Sequence, residues 1–306
     1  MLQGSDNRID VTWVSSTVRD TAGLTVGLER ISMRMVALAG TSLSSSRLGF
    51  GLSGLHHLLR SRDRQNLLSS ALHHGITYFD TAPYYGHGLA ERELGRFAAA
   101  HRNEILIATK VGIQADPWLN RMPLLMYSRL ATNAVLRRIT HRKSFIVTRK
   151  YDYTARSAAA GVERSLRALR TDHLDILYLH DPTLARLTEP DVLFKTLQQL
   201  QTTGKVRYFG LTGNVRESIA ILNSCPGLHC LLQVDASPGN AELETLNTAC
   251  IAFHASYGHF RARQDSVPMA LAEATRANRQ GVILFSTRSA TRIGAMARLL
   301  QSVEPS

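Results

Sequence analysis

Long apolar runs are missing from this chain of 306 residues; none approaches the roughly 18 that a membrane-spanning helix needs. Its first residues are polar and hold no hydrophobic signal core, which argues against export. Cysteine is scarce. Cys225, Cys230 and Cys250 have no metal-ligand spacing and leave an odd thiol, so reduced thiols in a cytoplasmic setting are the expectation. A glycine-rich dinucleotide turn after the first apolar strand is lacking, which speaks against an open doubly wound sheet. Acids are also in short supply, 24 against 36 Lys and Arg, for a net charge of +12. No nucleic-acid motif accompanies that excess.

Part of the positive charge is local. Arg121, Arg129, Arg137, Arg138, Arg142, Lys143, Arg149 and Lys150 follow one another without an intervening acid. Such a run reads either as a solvated basic insertion or as a surface for phosphate-bearing substrates or anionic lipid. Hydrophobic residues make up 44% of the chain and the mean hydropathy is −0.10, enough apolar material for a sizeable core.

From Arg47 onward short apolar runs alternate with amphipathic stretches. The strand candidates are Arg47–Gly51, Thr77–Asp80, Ile105–Lys110, Leu174–His180, Val206–Thr212, Leu231–Asp235, Cys250–His254 and Val282–Ser286. Between them Leu, Ile, Val and Ala recur at helical intervals, as in Arg62–His74, Ala90–Ala100 and Thr154–Arg170. Eight such units predict a (β/α)8 TIM barrel over residues 47–306. Residues 1–46 read as an N-terminal extension, with a hairpin around Ile31–Leu38, and 113–150 as an insertion after the third strand that lies over the barrel mouth.

In such a barrel the chemistry sits where the strands end. Asp80, Tyr85, Lys110 and His180 all fall at or just beyond strand ends. Singly, the tyrosine is a packing aromatic, the lysine a solvated terminus, the aspartate a loop cap and the histidine structural. Together, an acid, a phenol, an amine and an imidazole at one end of a barrel form a proton-donating site. An ammonium beside the phenol is expected to lower its pKa from about 10, and the carboxylate to keep that ammonium charged.

Six stretches then resemble the aldo-keto reductase superfamily. They are Arg47-Leu48-Gly49-Phe50-Gly51, Phe79 through Gly86, Ala90 through Gly95, Ala108 through Gly112, Asp175 through His180, and Gly204 through Gly210. The resemblance covers about residues 40–302. It implies NAD(P)H-dependent reduction of an aldehyde, ketone or aldose, or oxidation of the alcohol, with Tyr85 as proton donor and Asp80, Lys110 and His180 completing a tetrad. It further implies that Thr212 and Gln233 contact the nicotinamide, with Gly213 standing where relatives carry an amide. It also points to a phosphate site at Arg288, Ser289 and Arg292, which favours NADPH over NADH. A tyrosine that stacks on the ring in relatives aligns with Ala255, two residues before Tyr257. The long C-terminal substrate loop of many relatives is lacking, so substrate selection is expected to fall to the insertion, with Trp118, Met122 and Tyr127 as lining residues. The partner is then a small carbonyl or sugar substrate. Two other readings stand beside the reductase: a nucleotide-binding sensor with little turnover, and an aldolase using Lys110 as a Schiff base.

Overall fold

The computed structural model describes residues 18–19, 25–26, 33–116, 118–119, 149–225, 228–238, 242–248, 251–261 and 266–304. Eight parallel strands close a barrel: β1 (Leu48–Gly51), β2 (Tyr78–Asp80), β3 (Leu106–Val111), β4 (Leu174–His180), β5 (Val206–Gly213), β6 (Leu231–Asp235), β7 (Ala255–Tyr257) and β8 (Val282–Phe285). Each is followed by a helix: α1 (Ser61–His73), α2 (Leu89–His101), α3 (Ala155–Leu169), α4 (Pro190–Thr202), α5 (Val215–Ser224), α6 (Glu242–Thr248), α7 (Val267–Ala277) and α8 (Ala290–Val303). The (β/α)8 TIM barrel read from the sequence is the fold.

Helix ends follow local chemistry. Thr154, Asn214 and Ser289 each accept a backbone N–H from three residues on and so cap α3, α5 and α8. The buried residues of α3, Ala158, Gly161, Val162, Ser165, Leu166 and Leu169, recur at three- and four-residue steps and turn one stripe to the strands.

Two apolar cores result. The larger lies between strands and helices. The smaller fills the barrel itself with Tyr78, Ala108, Ile176, Tyr178, Leu231, Ala255, Val282 and Leu284. Tyr78 and Tyr178 meet hydroxyl to hydroxyl at 3.2 Å, fully buried. They fit because β5 offers Gly210 opposite them, where a Cβ would lie 2.7 Å from Tyr178 Cε1. Below this layer an antiparallel hairpin, Met35–Ala37 with Ser44–Ser46, closes the barrel, and its Val36, Leu38 and Leu43 join the inner core. Reciprocal bonds from Ser46 N to Thr77 Oγ1 (2.9 Å) and Thr77 N to Ser46 Oγ (2.8 Å) fasten it to the start of β2.

The expected strands recur to within a residue, except the seventh. Cys250–His254 was the candidate, and Ala255–Tyr257 is the strand; Cys250 itself lies outside the described residues. Ile251 N bonds to Leu246 O and so still belongs to the end of α6. The chain reaches the ladder only at His254, whose N–H meets Leu232 O and whose carbonyl meets Val282 N. An apolar run that packs on the core beside a ladder has the same periodicity as one within it. At the insertion's base, Gln114 N bonds to Lys150 O (2.9 Å) and Asp152 N to Gly112 O (2.8 Å), so its two ends leave the barrel side by side. Met122, Tyr127 and most of the basic run lie outside the described residues, while Trp118 is 70% exposed.

Candidate active site

Where the strands end, the barrel opens into a cleft of about 620 Å3. Strand β2 delivers Asp80 to it, and the turn after β2 delivers Tyr85; Lys110 comes from β3 and His180 from β4. All four residues expected to act together line this one cleft. Lys110 Nζ donates to both Asp80 oxygens at 2.6 Å and to the Thr81 carbonyl at 3.0 Å. Both side chains of the pair are buried. The same ammonium stands 4.9 Å from the centre of the Tyr85 ring. On its other side Tyr85 meets the His180 ring edge-on, with centroids 6.0 Å apart at 90°.

Electrostatics divides these groups into charged and neutral. Burial works against the Lys110 ammonium, but Asp80, and then Tyr85, outweigh it and hold its pKa above the usual value. For Tyr85 the balance differs from the sequence expectation. Burial raises the phenol's pKa; Lys110 pulls it down but does not overcome burial, to which Asp80 adds. The phenol is therefore neutral and holds its proton. His180 is pushed well below the usual imidazole range by burial and by the cations Lys110 and Arg149, so it too is neutral near pH 7.

A second hydrogen-bonded line enters from β5 and β6. Thr212 Oγ1 donates to Gln233 Oε1 at 2.8 Å, and Gln233 Nε2 donates to Asp80 Oδ1 at 2.9 Å. An ionised carboxylate only accepts, so Gln233 must turn its NH2 toward Asp80 and its oxygen toward the threonine. Gly213 adopts φ +135°, and a Cβ there would sit 2.7 Å from Asp181 Oδ1. The start of the β4 loop thus fills the space beside this position, leaving none for a side chain. Asn214, the next residue, uses its Oδ1 to cap α5 by accepting from Glu217 N at 3.1 Å.

The shifted seventh strand changes the reading of Ala255. It pairs with Gln233 and Val282 inside the barrel, while Tyr257, paired with Asp235 one layer higher, lines the cleft. At the rim, Arg149 Nη1 bonds to Asp181 Oδ2 (3.1 Å) and Arg261 Nη1 to Asp235 Oδ2 (2.9 Å). Tyr153 fixes the first of these walls through its hydroxyl, which lies 2.6 Å from the His180 carbonyl and 2.8 Å from that of Asp181.

Ser289, Arg288 and Arg292 gather at the start of α8, beside the cleft rather than in its lining. Ser289 Oγ accepts from Arg292 N, and both arginine side chains are exposed, with no ion pair among the described residues. Sequence reasoning passed over His56, Asp181, Asp235 and Arg261. Asp181 and Asp235 were readable, since each ends or directly follows a strand. His56 lies in the loop after β1, lines the cleft, and its Nδ1 is enclosed without a hydrogen-bond partner among the described residues. Burial first, then His57, push its pKa down to about 4, with His87 and Arg288 adding to the effect.

Residues 47–229 match the model of the aldo/keto reductase family. The chain belongs to that family. It is an oxidoreductase of the reductase and dehydrogenase type, and the matched stretch contains Asp80, Tyr85, Lys110, His180 and Thr212, whereas Gln233 and the α8 arginines lie beyond it. The chain is 31% identical over 239 residues to D-threo-aldose 1-dehydrogenase of a Pseudomonas species, covering 71% of this chain and 69% of that one. It is 28% identical over 193 residues to L-galactose dehydrogenase of Arabidopsis thaliana, covering 61% of this chain but only 50% of the relative. A further relative from Schizosaccharomyces pombe, whose name carries NADP(+), is 25% identical over 206 residues, covering 64% of this chain and 51% of that one. Among solved structures, the holo form of an aldo-keto reductase from Bacillus halodurans superposes with a TM-score of 0.65 at 18% identity, over 88% of this chain and 91% of that one. At that identity the likeness speaks for the fold alone. Among the described residues no helix is long and apolar enough to cross a membrane, and no cluster of three or more His, Cys, Asp or Glu is placed to hold a metal ion.

Proposed function

We propose that this aldo/keto reductase interconverts a sugar-type carbonyl and its alcohol with NADP(H), using Tyr85 as the proton donor and acceptor. One observation carries the reading: a neutral, partly buried phenol stands over an Asp80–Lys110 ion pair and against a neutral histidine in a single cleft. Two relatives named as dehydrogenases of aldoses support the sugar. So does the cleft rim, where paired Arg149–Asp181 and Arg261–Asp235 offer donors and acceptors to a polyhydroxy substrate rather than an apolar wall.

The residues suit the cofactor. Arg288 and Arg292 are exposed and without ion pairs among the described residues, at the start of a 14-residue helix with no acid in its first turn. That is a setting for the 2′-phosphate that distinguishes NADPH. Gln233 keeps one N–H and one lone pair for a carboxamide after its bonds to Asp80 and Thr212. Tyr257 offers an aromatic face at the cleft wall. When bound, the dinucleotide gives hydride to, or takes it from, the substrate carbon.

The chain's own part is the proton. As negative charge grows on the substrate oxygen, Tyr85 Oη gives up its hydrogen, and the Lys110 ammonium stabilises the phenolate that remains. Asp80 keeps Lys110 charged and aimed. His180, held neutral, can still donate a hydrogen bond to the same oxygen without competing as an acid. In oxidation the proton returns to Tyr85. The test follows NADPH absorbance over a panel of aldoses and aldehydes with the wild type and Tyr85→Phe. Loss of about 100-fold or more in kcat with cofactor binding retained is expected. Tight NADP(H) binding without turnover of any substrate by the wild type would refute the reading and favour a sensor.

A further inference from the structure

A second concavity lies on the outer wall of the barrel. Helices α2 and α3 run side by side there and leave a groove of about 610 Å3, a volume in the range of small-molecule sites. Five guanidinium groups line it: Arg92 and Arg96 from α2, Arg164 and Arg167 from α3, and Arg170 just beyond α3. Along a helix, residues three or four apart are neighbours about 5–6 Å from one another, so each helix contributes a short ladder of positive charge.

The acids near these arginines balance only part of that charge: Glu91 and Glu93 act on Arg92, Glu91 and Asp152 on Arg164, and Glu163 on Arg167. The one acid in its lining among the described residues is Glu91, which is 3% exposed and turned to the barrel, where its Oε1 accepts from Thr109 Oγ1 at 2.7 Å. Arg96 is held by Glu93 at 3.1 Å. Arg164, Arg167 and Arg170 form no ion pair among the described residues. Like charges around one hollow repel. At the half-buried Arg92, burial first and Arg96 next lower the pKa, Glu93 and Glu91 oppose them, and the net shift is downward. A ligand carrying several negative charges would remove that repulsion and take guanidinium forks in pairs.

We propose that this groove is a second ligand site, separate from the catalytic cleft, for a small molecule bearing two or more phosphate groups. Its upper end is lined by Pro83 and Gly112, two residues before Tyr85 and two after Lys110, so the same loops border both sites. The Thr109–Glu91 bond also ties the groove floor to the strand carrying Lys110. The proposal stands independently of the reaction assigned above, because it invokes none of the cleft residues.

Calorimetric titration of the full chain with inorganic tripolyphosphate and with ATP, at about physiological salt, tests it. Both probes are expected to bind, and Arg164→Gln/Arg167→Gln should weaken each by about tenfold or more. Arg170→Gln, outside the helices, should weaken them severalfold, which guards against a folding defect in the double variant. Arg288→Gln/Arg292→Gln at α8 should leave tripolyphosphate binding unchanged. Similar affinities for the two probes assign recognition to the phosphate chain; a much tighter ATP adds a nucleoside contact to the same site. No binding up to millimolar concentration would overturn the proposal. So would loss confined to the α8 variant, equal losses in both double variants, or binding of long polyanions such as heparin alone.

Discussion

Asp80→Asn tests the reasoning about the cleft most directly, because it removes one charge and almost no volume. Lys110 is 2% exposed and spends two hydrogen bonds of 2.6 Å on the two carboxylate oxygens. An asparagine offers one oxygen, already shared with Gln233 Nε2, and would turn an NH2 toward the ammonium. Breaking a buried pair by removing one partner costs about 3–5 kcal/mol, a large share of the roughly 5–15 kcal/mol that holds a domain together. The pH dependence gives a second handle. In the wild type the folded pKa of Lys110 lies above 10.5. Folded and unfolded states therefore both carry the proton at neutral pH. The stabilisation is fully present there and is lost only as pH rises past 10.5 through the folded value. Without Asp80 only Tyr85 opposes burial, the largest influence, so the folded pKa is expected to fall below the unfolded one. The unfolded state then binds more protons, so the variant gains stability with rising pH, by up to about 1.4 kcal/mol per unit. Urea denaturation at about pH 7 and about pH 9.5 measures both effects. A deficit under about 1 kcal/mol at the lower pH, or one that does not shrink at the higher, would refute the argument.

Two further outcomes follow from other buried ionisable groups. Arg47 is fully buried and its guanidinium meets Glu304 at 2.9 Å while also donating to the Gly281 and Asn278 carbonyls. Glu304→Gln should therefore lower stability by about 3 kcal/mol, seen as a lower urea midpoint with an unchanged slope; an unmoved midpoint would contradict it. His259, with its pKa pushed down to about 4 by burial, and His180, well below 6.5 for the same first reason, are neutral in the native state. Below pH 6.5 the unfolded chain binds protons that the folded one does not. Stability should thus fall as pH drops from 6.5 toward 4, by up to about 1.4 kcal/mol per unit for each histidine. His259→Gln should flatten that slope, and an identical slope would show that His259 does not carry it.

The barrel was legible because each strand and helix announces itself locally. Leu174–His180 and Leu231–Asp235 are short apolar runs bounded by polar residues, and α3 shows an unbroken stripe of small and aliphatic side chains. The seventh strand was not, because the run Ile251-Ala252-Phe253 is apolar for packing without being in the ladder. That shift of register left open which of Ala255 and Tyr257 faces the cleft, and only the ladder places Tyr257 in its wall. In the cleft, placement at strand ends was enough to pick out Asp80, Tyr85, Lys110 and His180. It did not reveal His56, which lies in the loop after β1 away from a strand end and meets, besides its own neighbours His57 and Ser53, His87 and Arg288 from distant parts of the chain.

What the chain determined by itself was which residue types stand where strands stop, since hydrophobic period and strand ends are properties of adjacent residues. Protonation was decided only in three dimensions. The sequence placed an ammonium near a phenol and led to the expectation of a lowered pKa; the folded protein desolvates the phenol and raises it. Desolvation depends on every atom packed around a group, and those atoms arrive from eight strands and the loops between them. The groove of arginines between α2 and α3 has the same origin. Arg92 and Arg164 are ordinary solvated helix positions in the sequence, and a shared hollow only once two helices lie side by side.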